Sequence, residues 1–342
     1  MIELGLDTFG DVTVGADGKN LPQPQVLKDV VEEAVLADEL GLAFFGVGEH
    51  HRDDFAVSAP EVVLAAIAGR TKTIHLGSAV TVLSSDDPIR VFQRFSTLDA
   101  LSNGRAEVIL GRGSFTESFP LFGYDLDQYE TLFEEKLQLF VELLKESPVT
   151  WKGTTRAALD RQTVYPPTAS GHLKTWVGVG GSPESIVRAA RYNLRLMLAI
   201  IGGDPLAFAR HVDLYRRAMD KLGHAMLPIG AHSPGYVAET DAQAREAAWP
   251  HHAALHARIG RERGWPPMRR ADFDHATGPT GAVLVGSPPT VASKIVRMVK
   301  GLSLSRFDMK YSMGTMPHAQ LMSSIRLYAT QVVPLVAEQL GA

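Results

Sequence analysis

Residues 44–110 read FFGVGEHHRDDFAVSAPEVVLAAIAGRTKTIHLGSAVTVLSSDDPIRVFQRFSTLDALSNGRAEVIL. Three short apolar runs, Phe44–Glu49, Ile74–Leu83 and Ala106–Leu110, read as strands. Two segments of helical spacing separate them. The first is predicted to start at the capping-box pattern Ser58-Ala-Pro-Glu61 and to run to about Arg70. The second, Pro88–Leu101, is stopped by Ser102-Asn-Gly104. Strands joined by whole helices are parallel neighbours with crossover connections.

The same unit repeats outward in both directions. Upstream, Ile2–Thr8 reads as a strand. A helix over Gln25–Leu40 follows, with Val26, Leu27, Val30, Val31, Ala34, Val35 and Leu40 on its apolar face. Downstream, the predicted strands are Thr175–Val179, Leu194–Ile201, Leu227–Val237 and Arg306–Tyr311. The predicted helices are Gln128–Lys145, Pro183–Asn193, a segment from Asp204-Pro205 to Leu222, Asp241–Arg263, Thr290–Lys300 and His318–Leu340. Eight strands, each followed by a helix, point to a (β/α)8 TIM barrel, with an open doubly wound sheet as the alternative. Spread over eight units, 342 residues leave about 43 per unit, enough for insertions near 114–127, 147–172 and 264–289. No repeat or linker divides the chain, so one domain over 1–342 is expected.

Composition removes several functions. There is no cysteine, so disulfides, thiolate nucleophiles and cysteine-ligated metals are excluded. The 34 basic and 38 acidic side chains leave a net charge of −4, which argues against a nucleic-acid binder and an electrostatic membrane anchor. The start of the chain carries no secretory signal, and no apolar run is long enough to span a bilayer. The expectation is a cytoplasmic protein.

In a barrel of this kind the chemistry stands at the carboxyl ends of the strands. After the second strand comes Glu49-His50-His51. A histidine there can act as general acid or base, or make a structural hydrogen bond. Glu49 and His51 could also be a fragment of a metal site, but no further carboxylate–histidine cluster follows at other strand ends. After the fourth strand comes Gly111-Arg112-Gly113-Ser114. Its arginine fork suits phosphate or carboxylate, or an internal ion pair. After the fifth strand comes Gly178-Val-Gly180-Gly181-Ser182-Pro183-Glu184-Ser185, where Ser182 is a good N-cap and Pro183 a good first helical residue. The N–H groups there suit an anion, with the Ser182 and Ser185 hydroxyls adding contacts. It departs from a dinucleotide fingerprint because Pro183 takes the third glycine's place. Arg112 and this helix start come from adjacent units and can converge on one phosphate. His251, His252 and His256 on the Asp241–Arg263 helix have zinc-compatible spacing, but a solvated helix face is the expected reading.

Taken in order, several short motifs resemble the bacterial luciferase-like family of flavin-dependent monooxygenases. They are Glu49-His50-His51, Leu76-Gly-Ser-Ala-Val-Thr-Val-Leu83, Pro88-Ile-Arg90, Asp99-Ala-Leu-Ser-Asn-Gly-Arg105 and Gly111-Arg112-Gly113. The Ser182–Ser185 helix start and Leu327-Tyr-Ala-Thr-Gln-Val-Val-Pro334 complete the set. The resemblance implies a barrel, usually dimeric, that binds reduced FMN or a deazaflavin. It implies that His50 is the catalytic histidine and that Ala79 and Val80 form a non-prolyl cis peptide against the ring. Arg112, Gly180, Gly181, Ser182 and Ser185 would hold the phosphate end. Gly181 stands where luciferase has a glutamate, and Gly111 where it has a reactive cysteine, so bioluminescence is not implied. The expected function is a monooxygenase using reduced FMN and O₂ on a small organic substrate. A flavin reductase partner would supply the cofactor, although direct use of NAD(P)H is also open. The alternatives are deazaflavin-dependent hydride transfer, a non-catalytic flavin binder and, more distantly, a metal hydrolase. The insertion at Ser114–Asp127, with Phe115, Phe119, Phe122 and Tyr124, is expected either to cover the pocket or simply to pack under a loop.

Overall fold

The computed structural model describes residues 2–341. Eight barrel strands follow in chain order: β1 (Glu3–Thr8), β2 (Phe44–Val47), β3 (His75–Ser78, resumed at Thr81–Val82), β4 (Ala106–Gly111), β5 (Lys174–Val179), β6 (Arg195–Ala199), β7 (Ile229–Val237) and β8 (Arg306–Lys310). Every neighbouring pair is parallel, in sequence order. β8 returns to β1, with Glu3 opposite Arg306 and Asp7 opposite Lys310, so the sheet closes. Closure decides between the two architectures: the fold is a (β/α)8 barrel.

Alternation along each strand separates two apolar layers. Outward-facing residues such as Leu6, Phe45, Leu76, Val108 and Leu196 join the buried faces of the helices in one large core. Inward-facing Phe44, Ile109, Trp176 and Met197 form a second, smaller cluster inside the barrel, with Val80 against it. Below that cluster, towards the amino ends of the strands, buried charges fill the interior. Arg306 lies 3.3 Å over the Phe44 ring and donates to Glu107 at 2.7 Å and Asp308 at 2.9 Å. Trp176 Nε1 and Lys174 Nζ donate to the remaining capacity of Glu107. Burial pushes the Glu107 pKa up, but Arg306, His75 and Lys174 outweigh it and hold the carboxyl well below its ordinary pKa.

Several helix starts follow from local chemistry. Asp87 caps Pro88–Leu101 by accepting from the Ile89 and Arg90 N–H groups. Ser182 caps Pro183–Arg191, and Asp204 caps the turn that leads into Ala209–Lys221. The Ser58–Glu61 capping box does not form. Pro60 is the first helical residue, which places Ala59 at the cap and Ser58 one position too early.

Other elements differ from expectation. The third strand is not continuous, because the Ala79–Val80 peptide is cis and the ladder restarts beyond it. The stretch 147–172 contains an antiparallel hairpin, Val149–Trp151 with Leu159–Gln162. The excursion 264–289 folds into a helix, Arg270–Thr277, and a short strand, Leu284–Gly286, which extends the sheet beside the outer end of β7. Among the described residues no helix is long and apolar enough to cross a membrane.

Candidate active site

The carboxyl ends of the strands carry a wall of polar and aromatic groups around a floor of small residues. On the floor, a Cβ at Gly46 would stand 2.9 Å from the Ala79 Cβ and 3.0 Å from the Asp7 Cβ. One at Gly111 would stand 2.5 Å from Val80 Cγ2, and one at Gly178 would stand 2.9 Å from Val80 Cγ1. The glycines therefore leave the room that Val80 fills, and the cis peptide lies on the inner surface between β2 and β4. The Ala79–Val80 peptide is cis, as the resemblance implied.

His50 stands at the rim after β2. Its ring is packed edge-on by Phe9 at 4.9 Å and Phe115 at 5.0 Å, and Phe55 leans over it at 4.6 Å. Its Nδ1 faces Glu117 Oε1 at 3.3 Å, and the same carboxylate accepts from the His51 N–H at 3.4 Å. Burial would raise the Glu117 pKa, but these partners outweigh it and lower it. His51 turns away and pairs with Glu49 at 2.8 Å; the other Glu49 oxygen accepts from the Val82 N–H. The hydrogen bond to Glu49 raises the His51 pKa against burial. The two histidines thus face different partners, as alternation demands. Glu49 ties the end of β2 to the resumed β3.

The Ser114–Asp127 insertion reaches this wall. Phe115 is held between the Arg52 and Arg263 guanidiniums, at 4.6 and 4.7 Å, and Phe122 meets His51 edge-on at 5.0 Å. Arg52 also binds Glu262 at 2.6 Å, so the loop after β2, the insertion and the end of the Asp241–Arg263 helix are tied together. A cavity of about 430 Å³ opens beside His50, lined among others by His51, Phe55, Gln23 and Leu121. None of the residues expected to bind phosphate lines it.

Those residues gather elsewhere on the mouth. Arg112 pairs with Glu130, which also accepts from Arg188 Nη2 at 2.9 Å. Arg188 Nη1 lies 3.5 Å from Ser185 Oγ. The two units converge as expected, but through a glutamate that occupies both arginines. Ser182 Oγ donates to Glu184 at 2.8 Å and accepts from the Ser185 N–H at 3.4 Å. A Cβ at Gly180 would meet nothing within 4 Å, and Gly181 has φ +120°, so the approach to the helix start is open. Two arginines, two hydroxyls and a bare backbone turn are a donor set that fits a phosphate. The small apolar floor fits a flat ring.

The histidines of the Asp241–Arg263 helix are not on a solvated face. His252 is tilted against Phe273 at 5.3 Å, His256 against Trp265 at 5.4 Å, and His251 Nδ1 lies 2.9 Å from Thr315 Oγ1. Burial, then His256 and Lys310, bring the His252 pKa down to about 4. The physical reason is that the 264–289 excursion folds back, bringing Phe273 over His252 and Trp265 over His256, while Thr315 beyond β8 meets His251. Among the described residues no group of three or more histidine, aspartate or glutamate side chains is arranged to hold a metal ion.

The profile of the luciferase-like monooxygenase family matches residues 8–304. This chain belongs to that family. Among luciferase-like relatives, the N-acetyl-S-alkylcysteine monooxygenase of Bacillus subtilis is 29% identical over 65% of this chain and 63% of its own length. The chain spans about half the length of two uncharacterized Sinorhizobium fredii proteins that it matches at 31% identity. A monooxygenase from Streptomyces bottropensis superposes with TM-score 0.83 at 25% identity, covering 97% of this chain and 99% of that one. At lower identity the likeness is one of fold. The oxygenating constituent of 3,6-diketocamphane monooxygenase from Pseudomonas putida, in complex with FMN, gives TM-score 0.76 at 20%, covering 97% and 98% of the two chains. An F420-dependent secondary alcohol dehydrogenase gives 0.75 at 17%, covering 98% and 99%.

Sequence reading missed Glu117, Glu130, Arg188 and the pair Asp7–His232. Arg188 had a signal, since it lies one turn from Ser185 on the same helix face. Glu117 had none, because a loop's return to the rim leaves no periodicity.

Proposed function

We propose that this chain is a flavin-dependent monooxygenase that uses reduced FMN and O₂ on a small organic substrate, as one barrel domain over 1–342. The observation that carries the reading is the pairing of an anion-binding corner with a small apolar floor at one barrel mouth. Arg112, Arg188, Ser182 and Ser185 would hold the phosphate, Gly180 and Gly181 would let it approach, and Ala79 and Val80 would lie against the ring. When bound, the reduced flavin would supply the electrons that activate O₂. Glu130 must yield its two arginines, or share them, when a dianion arrives. Glu117 orients His50 through Nδ1, leaving Nε2 to hold or release a proton in the mouth. Phe9, Phe55 and Phe115 pack around the imidazole and fix its plane.

The family resemblance supports a homodimer working in the cytoplasm, with reduced FMN delivered by a separate reductase. Size-exclusion chromatography tests the dimer. The fold shared with an F420-dependent enzyme supports deazaflavin-dependent hydride transfer as the second reading.

Anaerobic titration with reduced FMN, and in parallel with reduced deazaflavin, separates the readings. Preferred binding of FMN, lost on R112A, with slower reoxidation in air than free FMN, is expected. Preferred binding of deazaflavin moves the chain to hydride transfer. Binding of neither would falsify the phosphate corner.

A further inference from the structure

On the side of the mouth opposite the phosphate corner lies a charged pair that the proposed function does not use. The corner is built on β4 and β5, and in a barrel of eight strands β8 and β1 stand across from them. There His232 Nδ1 meets Asp7 Oδ2 at 2.8 Å, reaching from β7 over β8 to β1. Both side chains point inward. Asp7 shares its face with Gly5, where a Cβ would strike Asp308; His232 shares its face with Gly230, where one would strike Met197. Asp7 is also the neighbour of Ala79 across Gly46, so the pair borders the floor at the cis peptide.

The pair is incompletely satisfied. Asp7 is 1% exposed, and its Oδ1 is buried without a hydrogen-bond partner. A bare carboxylate oxygen in such a place costs free energy unless a donor arrives. His232 keeps 13% of its side chain exposed at the mouth. Its Nδ1 is committed to Asp7, so Nε2 is the nitrogen that faces a ligand. The charged groups around it are Asp7 on β1 and Asp308 and Lys310 on β8. Burial opposes the imidazolium and Lys310 adds to that, but the two carboxylates prevail and raise the His232 pKa. The carboxylates thereby favour the imidazolium, the form in which both ring nitrogens donate. Lys310 itself is taken up by Asp11 at 2.7 Å and the Ser312 carbonyl at 2.6 Å.

A carboxylate oxygen seeking a donor, beside an imidazole offering one, is complementary to an N–H flanked by a carbonyl oxygen. We propose that Asp7 and His232 anchor the polar imide edge of the flavin-type ring, Asp7 Oδ1 accepting its N–H and His232 Nε2 donating to the adjacent carbonyl oxygen. The inference rests on the flavin reading. It adds that the ring lies across the mouth, its phosphate arm at β4 and β5 and its polar edge at β1 and β7. The same imide is present in FMN and in deazaflavins, so the inference does not depend on which is used.

The test compares FMN with 3-methyl-FMN, in which a methyl group replaces the imide hydrogen. Binding of each, reduced and held anaerobic, to the full chain is followed by quenching of the protein's tryptophan fluorescence. The wild-type chain is expected to bind 3-methyl-FMN on the order of tenfold more weakly than FMN. D7A should bind the two alike, and R112A should weaken both by the same factor. H232Q leaves Asp7 in place and should weaken FMN while keeping part of the discrimination; it carries the comparison if thermal melting shows that D7A does not fold. Equal affinity of the wild-type chain for both flavins, with R112A still weakening them, overturns the anchor and leaves the flavin reading standing. Failure of the wild-type chain to bind reduced FMN or reduced deazaflavin overturns the flavin reading itself, and the anchor with it.

Discussion

At the residue scale, His50 is defined by what surrounds it. Three aromatic rings fix its plane and Glu117 fixes its tautomer. E117Q keeps the shape and removes the charge, so it is expected to lower turnover roughly tenfold, a part of the 10²–10⁴-fold that acid–base groups contribute, with flavin affinity unchanged. H50A should cost more. Equal turnover in E117Q and the wild type, in the same flavin assay, removes Glu117 from the mechanism. His51 makes a different prediction. Its pKa is raised by Glu49. The stabilisation from that pair is therefore fully present below the unfolded value of about 6.5 and is lost as pH rises through the raised folded value. Thermal melting should show H51Q less stable than the wild type at pH 6, with the gap closing by pH 9. A gap independent of pH would mean that packing against Phe122, not charge, is what His51 contributes.

At the element scale, the floor depends on glycines that are not equivalent. A Cβ at Gly111 lands 2.5 Å from Val80, whereas one at Gly180 meets nothing within 4 Å. G111A is expected to destabilise the chain by about 1–3 kcal/mol, the usual range for overpacking, and to weaken flavin binding by displacing Val80. G180A should leave stability within about 0.5 kcal/mol of wild type, as surface changes do. Urea titrations of the two variants give the comparison, and similar losses would contradict the floor as described. The insertion is the second element to test. Phe115 sits between two guanidiniums and against His50, so F115A should increase amide hydrogen exchange over 114–122 relative to the wild type. Unchanged exchange would show that the insertion is held by its other contacts, such as Phe119 stacked on Tyr129.

At the scale of the whole molecule, closure of the barrel places charges where no water can reach them. Glu107 on β4 and Arg306 on β8 meet inside, 199 residues apart in sequence. Removing Glu107 leaves Arg306 with Asp308 alone and strands the Trp176 N–H. E107A is expected to cost about 3–5 kcal/mol, the range for breaking a buried pair, and chemical denaturation measures it. A loss below about 1 kcal/mol would mean that water replaces the carboxylate, contrary to a dry interior. The order of strands and helices was legible in the sequence, because periods of 2 and 3.6 residues and the Pro, Ser and Asp caps are local properties. So was the placement of His50, Ala79, Val80, Arg112 and the Ser182–Ser185 helix start at strand ends, since each is marked by glycine or by a motif of the family. What only the tertiary structure decided are the meetings across the barrel: closure of β8 on β1, Glu117 beneath His50, Glu130 between two arginines, the covered histidines of the long helix, and Asp7 against His232. Each joins residues from separate units, and their separation in space is set by the curvature of a closed sheet and by how its insertions fold back, neither of which is encoded in any local run of residues.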